Sequence, residues 1–482
     1  MNTDDLTKKN NINVLTDEDK FLEKARSLRP FYFIVVCWGE NYTNFLFNFC
    51  IPSLLAPQNL PALLNRGKNK FLIATTDEDW RRMQTLTAFQ TLKQYVEPVH
   101  VPIPPCPAGE SSCVHMGIGH KSATQIAFEA RAYSVLLTPD LMLSDGTMAA
   151  VQRHAVLGVE VVLVAALRFG EEPLFKNLES LGIAGSKSRL GDEGRPLVAT
   201  GRQLVAAGIR SFHSETLRYE WAASYFSTFP VACWWQVPEE DGVLVHCLSW
   251  APLLVDYNSI EHHDSSMLDN WTIDGDYVYR NFGLDGKVYV VQDSDEAMLV
   301  SWAPLSDREQ LLSPIQQFRL PIFGHLLKGR ALNKTYLSDS FDPVKRSIFF
   351  LPVYWHSKSI NKKWKNIELL ARAVLEKFVP QPEQMPQGYS IPFDVTMDLL
   401  MGPFRKSVMP CINLCISLFN WIIDRALLPI FVFTLQLERD FYFYWDRRQR
   451  IKSTCVQALY GDKQSIMKFK IFGKYLLSRL TG

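Results

Sequence analysis

Apolar residues in this chain gather into short unbroken runs separated by stretches of helical spacing. The first run, Phe31-Tyr-Phe-Ile-Val-Val-Cys-Trp38, has β-branched and aromatic side chains with no polar alternation. Such a run has both faces covered and predicts a buried strand of a parallel sheet. Gly39 ends it. From Asn41 to Leu55 apolar residues recur at helical spacing (Phe45, Phe49, Ile51, Leu54), with Pro52 disturbing the end. Phe71 to Thr75 predicts a second strand, followed by the acidic turn Thr76-Asp-Glu-Asp79, a helix from Trp80 to Gln94, and a third strand from Val99 to Ile103. This alternation predicts half of a doubly wound α/β sheet.

A loop rich in Pro, Cys and Gly follows from Pro104 to Gly119, then a helix from His120 to Tyr133. The stretch Ser134-Val-Leu-Leu-Thr-Pro-Asp-Leu-Met-Leu-Ser-Asp-Gly146 predicts a strand, a sharp break at Pro139-Asp140, a short apolar continuation, and a turn at Asp145-Gly146. A helix over Thr147–Leu157 and a buried strand over Val159–Leu167 complete the pattern. Cys233 to Trp302 reads as strands and loops dense in Trp, Tyr, His and Asp. Val408 to Leu437 is strongly apolar but broken by Asp424, Arg425 and Pro429, so each half is too short to span a bilayer. A basic end follows, including Arg447, Arg448, Arg450 and Lys452. It suits packed helices with a solvated basic face or, as the second reading, peripheral docking on an anionic membrane.

Composition narrows the function classes. A formal net charge of +1 over 482 residues lacks the basic excess of a dedicated nucleic-acid binder, so no nucleic-acid partner is expected. Nine scattered cysteines without a CxxC pair read as free thiols in a reducing compartment, and residues 1–30 contain no apolar signal-type segment. The expected setting is cytoplasmic, with the inner membrane face as the place for peripheral contact. GxxxxGK[ST], GxGxxG after the first strand and GxSxG are all absent from the sequence.

Open α/β sheets bind ligands at the carboxyl ends of their strands, so an aspartate ending a buried strand is well placed to hold a hard divalent cation against a phosphate. On Val135-Leu-Leu-Thr-Pro-Asp-Leu-Met-Leu-Ser-Asp-Gly146 the chain resembles the DxD strand of GT-A glycosyltransferases, bacterial ones above all. Cys37-Trp-Gly-Glu-Asn-Tyr42 is similar to that family's nucleotide-binding start, and His120-Lys121 to its basic residue near the donor diphosphate. Thr138 stands where the family has its first Asp. The resemblance implies a GT-A like, Rossmann-type, doubly wound and mainly parallel sheet over 30–335, between a flexible segment 1–29 and a mainly helical region 336–482. It implies a nucleotide-sugar donor bound by Cys37, Trp38, Asp77, Lys121, Thr138 and Asp140, with Mn²⁺ or Mg²⁺ on Asp140 and a late histidine, His263 or His325.

The second dense cluster runs from His246 to Tyr277. Aromatic faces suit sugar rings and carboxylates suit hydroxyl recognition or base work. Trp250 and Trp271 are therefore the acceptor-binding candidates, for a glycan or another acceptor, and Asp264 and Asp276 the catalytic acids. The same fold also suits a non-catalytic carbohydrate-binding or scaffold protein. A metal-dependent hydrolase on His262, His263, Asp264 and Asp276 is the third reading.

Overall fold

The computed structural model describes residues 17–380, apart from 185–193, 224–225, 274, 284–286, 307–320 and 339. The described strands are, in chain order, β1 (Phe31–Val36), β2 (Lys70–Thr75), β3 (Glu97–Pro102), β4 (Tyr133–Leu137), β5 (Leu141–Leu143), β6 (Val161–Ala165), β7 (Arg168–Gly170), β8 (Ala232–Val237), β9 (Gly242–Cys247), β10 (Trp250–Asp256), β11 (Val288–Val290), β12 (Leu299–Ala303) and β13 (Val353–His356). The central sheet has the order β11-β6-β10-β4-β1-β2-β3. It is mostly parallel, with β10 alone among its described strands antiparallel to its neighbours. The apolar runs read from the sequence are its core: all six residues of β1 and all five of β6 are buried. β3 is the edge strand, where Pro98 and Pro102 are tolerated because one side of the ladder is free.

Two small sheets flank it, β5-β12-β7 and β13-β9-β8. Their pairings join segments far apart in sequence, such as Leu299 with Leu143 and Val353 with Val245. The chain leaves the central sheet at Thr138-Pro139-Asp140 to become β5, and leaves it again after β6 to become β7. Asp140 and Arg168 therefore both stand at the crossing from the large sheet to the same small one.

The Ser112–Glu129 helix covers one face of the sheet. Two glycines set its approach. A Cβ on Gly119 would lie 2.7 Å from Val36 Cγ1 and 2.9 Å from Ala74 Cβ, and one on Gly117 would strike the Leu268 carbonyl oxygen. This helix begins eight residues before the expected start at His120, since the glycines here serve close packing and not a loop. Other elements also depart from expectation. Trp80–Gln94 divides into helices Asp77–Met83 and Thr87–Leu92. The Asn41–Leu55 segment carries a π turn at Leu46–Cys50, just ahead of Pro52, which widens the helix where Pro52 cannot donate. Residues 17–27, within the segment expected to be flexible, form a helix with Ala25 buried.

Among the described residues, those within 17–223, 229–306 and 332–377 belong to one compact unit, and 226–228, 321–331 and 378–380 to a second. Among the described residues after 336, the elements are the helices Pro343–Ile348 and Lys362–Phe378 and the strand β13. The expected apolar and basic C-terminal segments lie outside the described residues. No helix among the described residues is long and apolar enough to cross a membrane.

Candidate functional site

From β1 the strand order runs one way to β2 and β3, and the chain then returns to the other side of β1 to form β4. The carboxyl ends of β1 and β4 are thus the topological switch point of the sheet, the crevice where open α/β sheets take ligands. Cys37, Trp38 and Gly39 follow β1 there, and Thr138, Pro139 and Asp140 follow β4.

Asp140 is partly accessible, and Thr138 beside it is exposed. Burial among its neighbours pushes the Asp140 carboxyl above the usual carboxylate range, against the Thr138 hydroxyl bond and the field of Arg168, which lower it. Among the described residues no ion pair engages it. Asp140 is thus a desolvated carboxylate at a strand end, within the fields of Arg168 and Glu171. The side chain of Arg168 is exposed.

The end of β1 is tied to the end of β2 by a residue the sequence reading passed over. Asp79 Oδ2 accepts from the Gly39 N–H at 2.8 Å and from the Thr76 hydroxyl at 3.0 Å, and Oδ1 accepts from Arg82 at 2.9 Å. Thr76 in turn caps the Asp77–Met83 helix by accepting from the Asp79 N–H. The spacing Thr-x-x-Asp ahead of a helix carries this signal. Gly39, at φ 77°, turns the chain so that its N–H meets Asp79.

The remaining nucleotide-sugar candidates divide. Cys37 is 1% exposed and burial pushes its thiol up to about 12, so its side chain is packing. Trp38 is half-buried and meets His115 edge-on at 4.8 Å between centroids. Asp77 is exposed at the helix start, with His100 Nδ1 at 3.9 Å. Lys121 stands on the outer side of its helix and pairs with Asp269 at 2.5 Å. Its expected partner was a donor diphosphate; among the described residues its partner is Asp269.

The acceptor and acid candidates are corrected more deeply. Trp250 is 2% exposed and donates its indole N–H to the Cys247 carbonyl at 2.6 Å, which makes it core. Trp271 is 53% exposed and lies beside Gly117, on the half of the helix nearest the strand ends. His263 donates from Nδ1 to Gln125 Oε1 at 3.1 Å and accepts at Nε2 from the Tyr277 hydroxyl at 2.7 Å. Both nitrogens are taken. Gln125 lies near the end of the helix that feeds the start of β4, so His263 stands at the opposite end of the sheet from Asp140 and cannot share a metal with it. Asp264 accepts from the Ser266 N–H at 2.9 Å and from its hydroxyl at 2.5 Å, bonds that hold its carboxyl below the usual range. Asp276 pairs with the buried Lys345 at 3.2 Å, and Lys345 also faces Asp342 at 3.7 Å, whose carboxyl burial pushes up to about 6. Of the residues named for a hydrolase centre, Asp264, Asp276 and His263 each have hydrogen-bond or ion-pair partners of their own. His325 lies in the second unit.

No family model matches the chain, and no curated protein does. One solved structure it is similar to is provisionally described as a glucose-1-phosphate thymidylyltransferase from Bacillus anthracis, in complex with a sucrose. The identity is 10% and the TM-score 0.19, over 30% of this chain and 57% of that one. The match therefore spans little more than half of that protein, and a likeness so faint says nothing about chemistry.

Proposed function

We propose that this chain is a GT-A type glycosyltransferase that moves a sugar from a nucleotide-diphospho-sugar to a glycan or other acceptor. The observation that carries the reading is the desolvated, partly accessible Asp140 carboxylate, in no ion pair among the described residues, at the switch point of a mostly parallel sheet. The oxygen donors there, the Asp140 carboxylate and the Thr138 hydroxyl, fit a hard cation of the Mg²⁺ or Mn²⁺ kind. When bound, such an ion supplies charge neutralisation for the departing diphosphate.

The chain's own residues do the rest. Asp79 fixes the Gly39 turn, so the floor under the nucleotide is rigid. The exposed guanidinium of Arg168 adds positive charge beside Asp140, where negative charge grows on the leaving oxygen. Trp271 offers an accessible aromatic face for an acceptor sugar.

Thermal unfolding with uridine and guanosine diphospho-sugars, with and without Mn²⁺, tests the reading. A true donor raises the melting temperature by mass action, and Asp140→Asn abolishes that rise. A glycan that stabilises the protein while every nucleotide fails to do so overturns it in favour of a non-catalytic carbohydrate binder.

A further inference from the structure

The loop between β3 and the Ser112–Glu129 helix gathers three side chains of metal-binding type. Cys106, Glu110 and His115 each bring a ligand atom to within 4.8 Å of the other two. Gly109, at φ 85°, and the Glu110 N–H bond to the Pro107 carbonyl fold the loop back so that Glu110 faces the helix. His115 Nδ1 lies 3.9 Å from Glu110 Oε2.

The imidazole carries the case. His115 is 0% exposed, and among the described residues neither Nδ1 nor Nε2 has a hydrogen-bond partner. A buried imidazole with two orphaned nitrogens costs free energy unless something bonds to it. Trp38 closes one side of the ring, while Cys106 is part-exposed and Glu110 exposed. The pocket is therefore dry at the histidine and open at the acid and the thiol.

We propose that Cys106, Glu110 and His115 bind one Zn²⁺, with the fourth position left to water. Thiolate, carboxylate and imidazole are all accepted by this borderline-soft ion, and three protein ligands plus an open position is a recurrent zinc arrangement. The charges balance: thiolate and carboxylate each bring −1, imidazole is neutral, and the ion brings +2. On binding, the Cys106 S–H bond breaks, the proton leaves to solvent, and Zn–S, Zn–O and Zn–N bonds form. The oxygen donors required for Mg²⁺ are too few here. This site is separate from the one at Asp140 and stands whether or not a nucleotide-sugar binds there.

The test uses the full chain, stripped with chelator and titrated with Zn²⁺ against a chromophoric competitor. Co²⁺ replacement then reports on sulfur through the thiolate-to-cobalt charge-transfer band. The expected result is one tight equivalent of Zn²⁺ and a charge-transfer band on Co²⁺ loading. Cys106→Ser, at a part-exposed loop position, should keep the wild-type circular dichroism, lose the band, and bind Zn²⁺ at least ~100-fold more weakly. Glu110→Gln should also weaken Zn²⁺. Cys113→Ser, which alters a neighbouring thiol outside the group, should change neither readout. Absence of a stoichiometric Zn²⁺ site in the wild type overturns the proposal. So does a charge-transfer band that survives Cys106→Ser, or preferred retention of Fe²⁺ over Zn²⁺.

Discussion

His115 and His356 are both buried, and each stands in a group of three with acidic or thiol neighbours, yet their nitrogens have opposite fates. Both nitrogens of His356 are engaged, with the Asp293 carboxylate at 2.8 Å and the Lys358 carbonyl at 2.8 Å. The third member of its group, Asp295, is held by Arg202 at 2.7 Å. Nothing there is left over. Around His115 both ring nitrogens lack a hydrogen-bond partner among the described residues, although Cys106 and Glu110 converge on them. A related contrast divides the carboxylates: Asp264 is exposed and capped by Ser266, whereas Asp140, bonded to Thr138, is desolvated and in no ion pair among the described residues. Residue type alone marks a cluster; the hydrogen bonds already spent decide whether chemistry is left for a ligand.

The sharpest way to break this contrast is at the carboxylates. Asp140→Asn should lower sugar transfer by at least ~100-fold in a donor-turnover assay, the scale of losing a charge-stabilising group. The fold should hold, because the raised carboxyl pKa means the ionised side chain is a burden to the native state at neutral pH. Asp264→Asn should do the reverse, with turnover preserved and a small loss of stability.

Replacing both histidines with leucine sharpens it further. In chelator, His356→Leu should destabilise by about 1 kcal/mol in urea unfolding, since it takes the partner from the Lys358 carbonyl and one of the partners from the half-exposed Asp293 carboxylate. His115→Leu in the same buffer should be neutral or stabilising, as it removes two unbonded nitrogens and leaves no partner behind. An equal loss in both variants would end the comparison.

Acid titration extends it to His120 and His246. Burial lowers each to about 4, from an ordinary value of 6.5. The unfolded chain then binds more protons between those values, so stability falls as pH drops from about 6.5 to 4, by about 3 kcal/mol for each residue. Above pH 6.5 neither contributes. Unfolding curves at pH 7 and pH 4.5 check the sign, and His246→Gln should flatten the dependence. Smallest of all, Lys121→Ala should cost no more than ~0.5 kcal/mol, because its pair with Asp269 is exposed.

Strands built from unbroken apolar runs were legible in the chain, as were the Pro139-Asp140 break and the turn at Gly146, because each is local. The pairings that surround Asp140 were not. β5, β7 and β12 are three to five residues long and meet only through contacts distant in sequence. His115 was hidden for a different reason. Gly117 and Gly119 read as loop residues, although they serve a helix pressed against the sheet, so Pro104 to Gly119 read as a single loop and nothing marked His115 as a buried helix residue. The stretch from His246 to Tyr277 misled in the other direction. Its density of polar and aromatic groups is real, but most bond to one another or to the nearest backbone.

The antiparallel strand between β4 and β6 has a consequence for biogenesis. β10 ends at Asp256, roughly ninety residues after β6 (about nine seconds of synthesis at ten residues per second). Until it emerges from the ribosome, β4 and β6 each present a bare edge of apolar strand to solvent, a template for pairing with another nascent chain. Premature termination before Trp250 therefore leaves an aggregation-prone fragment and not a smaller domain, and chaperone demand should peak in that interval of translation.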